Sequence, residues 1–125
     1  MNMTKTLQNK IDNYLREEED IYFAGLYTSQ GDFIFATSEM DAVSKISDDT
    51  FNILRDIDGY AFEDDNLQDL LRESGEEITL IKKVYFKDKT DNKITVSFLI
   101  LCADSRTAFG ALLLKMNKFE KALSS

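Results

Sequence analysis

Apolar residues recur along the chain with two different periods. Near the start, Leu7, Ile11, Tyr14 and Leu15 fall at i, i+4, i+7 and i+8. That is one stripe of a helix, predicted from about Thr4, a residue suited to cap it. Near the end, Leu112, Met116, Phe119 and Leu123 repeat the helical spacing, with Lys115, Lys118 and Lys121 off the stripe. This helix is predicted to open near Asp104 or Ser105. Four stretches between them are rich in β-favouring residues: Ile21 to Thr28, Phe33 to Thr37, Ile78 to Phe86 and Ile94 to Ala103. Ser29-Gln-Gly-Asp32 reads as the turn of a first hairpin, and Lys87-Asp-Lys-Thr-Asp-Asn92 as the tip of a second.

The strands are apolar on both sides. Ile94, Val96, Phe98, Ile100 and Cys102 share one face of the last strand, and its other face turns apolar at Leu99 and Leu101. Phe33-Ile-Phe35 has no alternation at all. In Ile78 to Phe86, Leu80, Val84 and Phe86 oppose Ile81 and Tyr85. Strands of this kind have both faces covered. The middle of the chain reads as helical: Ser44 or Ser47 as cap, Asp48 and Asp49 in the first turn, and Phe51, Ile53, Leu54 and Ile57 on one side, interrupted at Gly59. Glu63 to Glu73 carries Leu67, Leu70 and Leu71 at helical spacing and ends at Ser74-Gly75. The predicted order is α-β-β-α-β-β-α. This is an α/β (α+β) fold in three layers, α/β/α, around a central antiparallel sheet of four to five strands. The terminal helices lie on one face and the middle helix on the other.

The length of 125 residues fits a single domain, 1–125, and a domain of this size buries about two-thirds of its unfolded surface, enough for a core without disulfides or metal. The net charge of −8 argues against nucleic acid. The one basic cluster, Lys82, Lys83, Lys87, Lys89 and Lys93, reads as a solvated hairpin edge. The lone Cys102, inside an apolar run, reads as a buried small hydrophobe. No apolar leader and no run near the roughly 20 apolar residues of a membrane span is visible, so the expected location is the cytoplasm, without membrane insertion.

Candidate chemistry is sparse. With no His and one Cys, the sequence has no Ser–His or Cys–His pair and no thiolate metal site. Neither a phosphate-binding loop nor a dinucleotide fingerprint is present. With Gly59 at loop position six, Asp56, Asp58 and Asp65 imitate part of a calcium loop, but Leu54 occupies the first ligand position. A solvated acidic face is the better reading. The expectation is therefore no enzymatic activity, no cofactor and no metal.

Three stretches carry a resemblance. Phe23-Ala-Gly-Leu-Tyr-Thr-Ser-Gln-Gly-Asp-Phe-Ile-Phe-Ala-Thr37, Cys102-Ala-Asp-Ser-Arg-Thr-Ala-Phe-Gly110, and the Leu/Lys-rich helix from Ala111 to Leu123 resemble the opening hairpin and closing segment of the roadblock/LC7 family, of the bacterial MglB type. Two features depart from it. Phe51, Ile57, Gly59 and Phe62 stand where the family's middle helix is rich in small residues. Two long strands follow where the family has three, so either Ile78 to Phe86 hides a break or one strand is missing.

The resemblance implies a homodimer or heterodimer paired through the middle helices and the following strand, and a scaffold for a small Ras-like GTPase. On that reading the interface draws on Phe51, Leu54, Arg55, Asp58, Ile81, Lys83, Tyr85 and Arg106. Ile78 to Phe86, read as an edge strand, is covered either by such a partner or by the chain's own middle helix. No Arg stands out as a catalytic finger among Arg55, Arg72 and Arg106, and Arg106 reads as a salt bridge or cap near the last helix. A second resemblance, to profilin-like actin-binding proteins, rests on Lys5 to Leu15, Ala36-Thr37-Ser38 and Ile46-Ser-Asp-Asp49. The chain has no Trp for a polyproline patch, which leaves Tyr14, Phe109 and Phe119.

Overall fold

The computed structural model describes residues 3–28, 33–37, 69–74, 77–87 and 94–124. Helix α1 (Met3–Glu17) is followed by strands β1 (Ile21–Thr28), β2 (Phe33–Thr37), β3 (Asp69–Ser74), β4 (Glu77–Lys87) and β5 (Ile94–Asp104), and by helix α2 (Phe109–Ser124). The strands form one five-stranded antiparallel sheet in the order β2-β1-β5-β4-β3. The fold is mixed α+β, and both described helices pack on the same sheet face. The expected middle helix, with Ser44 to Ile57, lies outside the described residues, so the third layer does too.

Four expectations are corrected here. The stretch to Glu73, read as helical, holds strand β3 instead: Leu70 pairs with Ile81 and Leu71 with Leu80. Three leucines at helical spacing are a weak signal, and the unpaired N–H and C=O groups along β4 outweigh it. β4 is consequently not an edge. It lies between β5 and β3, and the sheet ends at β2 and β3. The last helix also opens later than Asp104. β5 runs through Asp104, the Thr107 N–H closes a turn on the Asp104 carbonyl at 2.9 Å, and the first helical bond runs from Leu112 N–H to the Ala108 carbonyl at 3.0 Å. Likewise α1 begins at Met3, ahead of Thr4.

The helix-covered core joins Ile11, Tyr14, Ile21, Ala24, Leu26, Ile78, Leu80, Val84, Leu99, Leu101, Leu112, Met116, Phe119 and Leu123, with the whole predicted C-terminal stripe inside it and Leu7 and Leu15 of the N-terminal stripe partly buried at its margin. On the opposite face Phe23, Ile81, Phe98, Ile100 and Cys102 are buried. Cys102 is a free thiol 3.5 Å from the Thr79 hydroxyl. A register shift between Ile21 and Phe23 explains why β1 does not alternate. The extra residue lets Ile21 join Ala24 and Leu26 under the helices, while Tyr22 and Phe23 turn to the other face.

Gly25 lies beside Phe23 on that second face. A Cβ there would stand 3.1 Å from Phe23 Cε1, and the Phe23 ring is buried and stacked on Phe35 at 5.5 Å. The ring is buried with Phe35 stacked on it, so it has little space to give way. Gly25→Ala is therefore expected to cost about 1–2 kcal/mol in urea denaturation, as overpacking does. Unchanged stability would show that the ring has room to move.

Candidate functional site

On the second sheet face, the register pairs Tyr85 with Val96 and Lys87 with Ile94. Period-two alternation puts Ile94, Val96 and Tyr85 on one side of the β4–β5 hairpin. Tyr85 is 54% exposed and Ile94 61% exposed, although the floor beside them, Phe98 and Ile100, is closed to solvent. Lys83 Nζ stands 5.5 Å from the Tyr85 ring centroid, a cation–π contact worth about 0.5–1 kcal/mol at an exposed site. Tyr27, half-buried, meets the Phe98 ring at 6.4 Å. An exposed aromatic and aliphatic pair beside a cation, on a rigid sheet, suits docking of another protein surface.

On the helix face the polar groups are paired. Glu18, just past α1, is almost wholly buried and accepts hydrogen bonds from Lys115 Nζ at 2.8 Å and Lys118 Nζ at 2.6 Å. Burial pushes its carboxyl up, but the hydrogen bonds and charges of the two lysines outweigh this, and its pKa lies below the ordinary carboxylate value. The Tyr14 hydroxyl donates to the Lys115 carbonyl at 2.8 Å, and burial, then the Glu18 charge, raise its pKa well above that of free tyrosine. Lys82 reaches Glu120 at 3.0 Å from the same side. These bonds fix α2 against α1 and β4. Among the described residues no group of three or more His, Cys, Asp or Glu is placed to hold a metal ion, and no helix is long and apolar enough to cross a membrane.

No family model matches the chain, and no curated protein matches it by sequence. Among solved structures, Myxococcus xanthus MglB aligns with a TM-score of 0.66 over 99% of this chain and 89% of its own, at 12% identity. The fold is roadblock/LC7-like. The third strand after the middle segment, whose absence was a departure from that pattern, is supplied by β3.

In this roadblock/LC7-like frame the predicted interface residues separate. Phe51, Leu54, Arg55 and Asp58 lie outside the described residues, as does the imitation calcium loop. Ile81 is 2% exposed and belongs to the core, so it is not surface. Lys83 and Tyr85 come together as above. Lys82 and Lys83, neighbours in the basic cluster, point to opposite sheet faces. Arg106 sits apart, in the turn before α2, with its guanidinium on Asp104 at 2.9 and 3.1 Å and its backbone N–H on the same carboxylate at 2.8 Å. The Arg106 hydrogen bonds hold the Asp104 carboxyl below its ordinary pKa. Ile94 was overlooked as surface: its strand position promised burial, but at the first position of β5 it is exposed. Glu18 was also missed, since an acidic run normally marks a solvated end.

Proposed function

We propose that this chain is a single roadblock/LC7-like domain, 1–125, acting as a non-catalytic dimeric regulatory module that binds a small Ras-like GTPase. The likeness to MglB over 99% of the chain supports this reading most directly. The Asp104-Ser-Arg-Thr-Ala-Phe-Gly110 closing segment, found at the β5–α2 junction, agrees with it. In this proposal the dimer pairs through the middle segment, with Phe51, Leu54, Arg55 and Asp58, and through the sheet edge at β3. Tyr85 and Lys83 extend the interface, because an exposed ring on a rigid strand costs little entropy to bury. The working location is the cytoplasm.

The test is calorimetric titration of the full chain with small Ras-like GTPases of its own organism, loaded with GDP or with a non-hydrolysable GTP analogue. Binding that depends on the nucleotide supports the proposal, and a fall of Tyr85→Ala to the monomer mass assigns the hairpin face to the dimer interface. Failure of every such GTPase to bind contradicts it. Arg106 is tied to Asp104, and its role in this proposal is to shape the turn. Arg106→Ala is expected to leave GTP turnover in the complex nearly unchanged. A loss of more than tenfold with binding retained would make it a catalytic finger. Nothing favours the profilin-like reading: of its three terminal aromatics, Tyr14 and Phe119 are buried against each other.

A further inference from the structure

Among the described strands, the sheet ends at β2 on one side and at β3 on the other. An edge strand presents outward N–H and C=O groups on which another strand can add, and it is normally blunted by charge, proline or a bulge. β3 carries Asp69, Arg72 and Glu73. β2, Phe33-Ile-Phe-Ala-Thr37, carries no charged residue and no proline, and its pairing with β1 runs without a register shift. A short, uncharged run of β-favouring residues is the kind of segment that recruits further strands. By its own sequence this edge is unprotected.

The direction of its carbonyls follows from Gly25. The Ile34 carbonyl oxygen lies 3.5 Å from the place of a Gly25 Cβ, so it points inward, to β1. Successive carbonyls of a strand point to opposite sides, so that of Phe35, the middle residue of β2, points out of the sheet. The Gln8 side chain of α1 meets it there. Gln8 Nε2 donates to the Phe35 carbonyl at 3.0 Å, the distance at which the backbone N–H of an added strand would stand. The second hydrogen of the same amide goes to Asp12 Oδ1, one turn along α1, also at 3.0 Å. Both donors are spent, and the helix that carries them is anchored by Ile11, which is wholly buried in the core.

We infer that Gln8, positioned by Asp12, guards the β2 edge against strand addition. Its amide takes the place of the incoming backbone N–H at the centre of β2, so a second strand finds the middle acceptor occupied and the space beside it filled. An added strand bonds at alternate residues, and on a strand of five residues loss of the central site breaks the ladder. The device is an autoinhibitory contact of the helix layer on the sheet edge. It lies at the edge opposite β3 and is independent of the proposed dimer and of GTPase binding.

The test is the mass of the full chain by light scattering behind size exclusion over a concentration series. It is read against the parent's own mass, so it does not depend on whether the parent is a dimer. Gln8→Met keeps the length of the side chain and removes both donors. It is expected to lower the concentration at which larger species appear by about fivefold or more, the factor that one net hydrogen bond carries. Asp12→Ala, which releases the amide without altering it, is expected to act in the same direction and more weakly. Thr37→Lys, a charge added to β2 itself, is expected to return Gln8→Met to the parental mass. Glu120→Ala removes the tie of α2 to Lys82 and leaves β2 alone, so it controls for a general loss of stability and is expected to match the parent. A Gln8→Met chain that associates no more than the parent, or no more than Glu120→Ala, overturns the inference. So does association that persists with Thr37→Lys. If Gln8→Met fails to fold, Asp12→Ala carries the same readings: association suppressed by Thr37→Lys supports the guard, and parental behaviour overturns it.

Discussion

Phe119→Ala is expected to lower the unfolding free energy by about 4 kcal/mol, the range of large aromatic truncations in a core. Phe119 is fully buried and is the point where the two terminal helices meet: its ring lies 4.6 Å from that of Tyr14, and both belong to the helix-side core with Leu99 and Leu101. Removing the ring deletes apolar area from three elements at once. It also leaves a void beneath Tyr14, whose hydroxyl is anchored on the Lys115 carbonyl and cannot follow. For a domain whose whole stability is about 5–15 kcal/mol, this is a large fraction. Urea denaturation should show the midpoint falling at an unchanged slope. A loss below about 1 kcal/mol would mean that the helices are not packed as described.

Glu18→Gln is expected to cost about 2 kcal/mol near neutral pH, in line with hydrogen bonds to charged groups, discounted because Lys118 is half-exposed. The variant leaves Lys115 and Lys118 converging on a neutral amide, with Asp20 still 3.8 Å from Lys115. The sign with pH follows from the lowered pKa of Glu18 in the folded chain. Its contribution is fully present above the ordinary value of 4.5 and is lost as pH falls through the folded-state value. The difference between parent and variant should thus be largest at neutral pH and shrink in acid. A difference that stays constant down to acid would show that Glu18 acts by shape and not by charge. At the alkaline end Lys118, whose pKa is raised by its bond to Glu18, gives up its share as pH rises through its own folded value.

How much was legible depended on where each residue's neighbours lie in sequence. Both terminal helices follow from local periodicity, and all four apolar residues of the α2 stripe are buried. The faces of β5 follow equally, since alternation is a local property. β3 was not legible as a strand, because its identity comes from pairing with β4. One clue was available: Ser74 pairs with Glu77, leaving only Gly75 and Glu76 between two strands, and a glycine-containing pair at that spacing marks a hairpin. Weight given to Leu67, Leu70 and Leu71 hid it. The bulge at Ile21 needed β5 as a ruler. Within the candidate site, the exposure of Tyr85 and Ile94 depends on what packs against the second sheet face, and no spacing encodes that. Glu18 became a buried anchor through lysines about a hundred residues away.

The measurement closest to the central claim is the molar mass in solution, by light scattering behind size exclusion at tens of micromolar chain. The monomer is 14.3 kDa. A dimeric roadblock/LC7-like module predicts a stable mass near twice that value. A mass that stays at 14.3 kDa across the concentration range would contradict the dimer, and with it the paired platform on which the proposed GTPase docks.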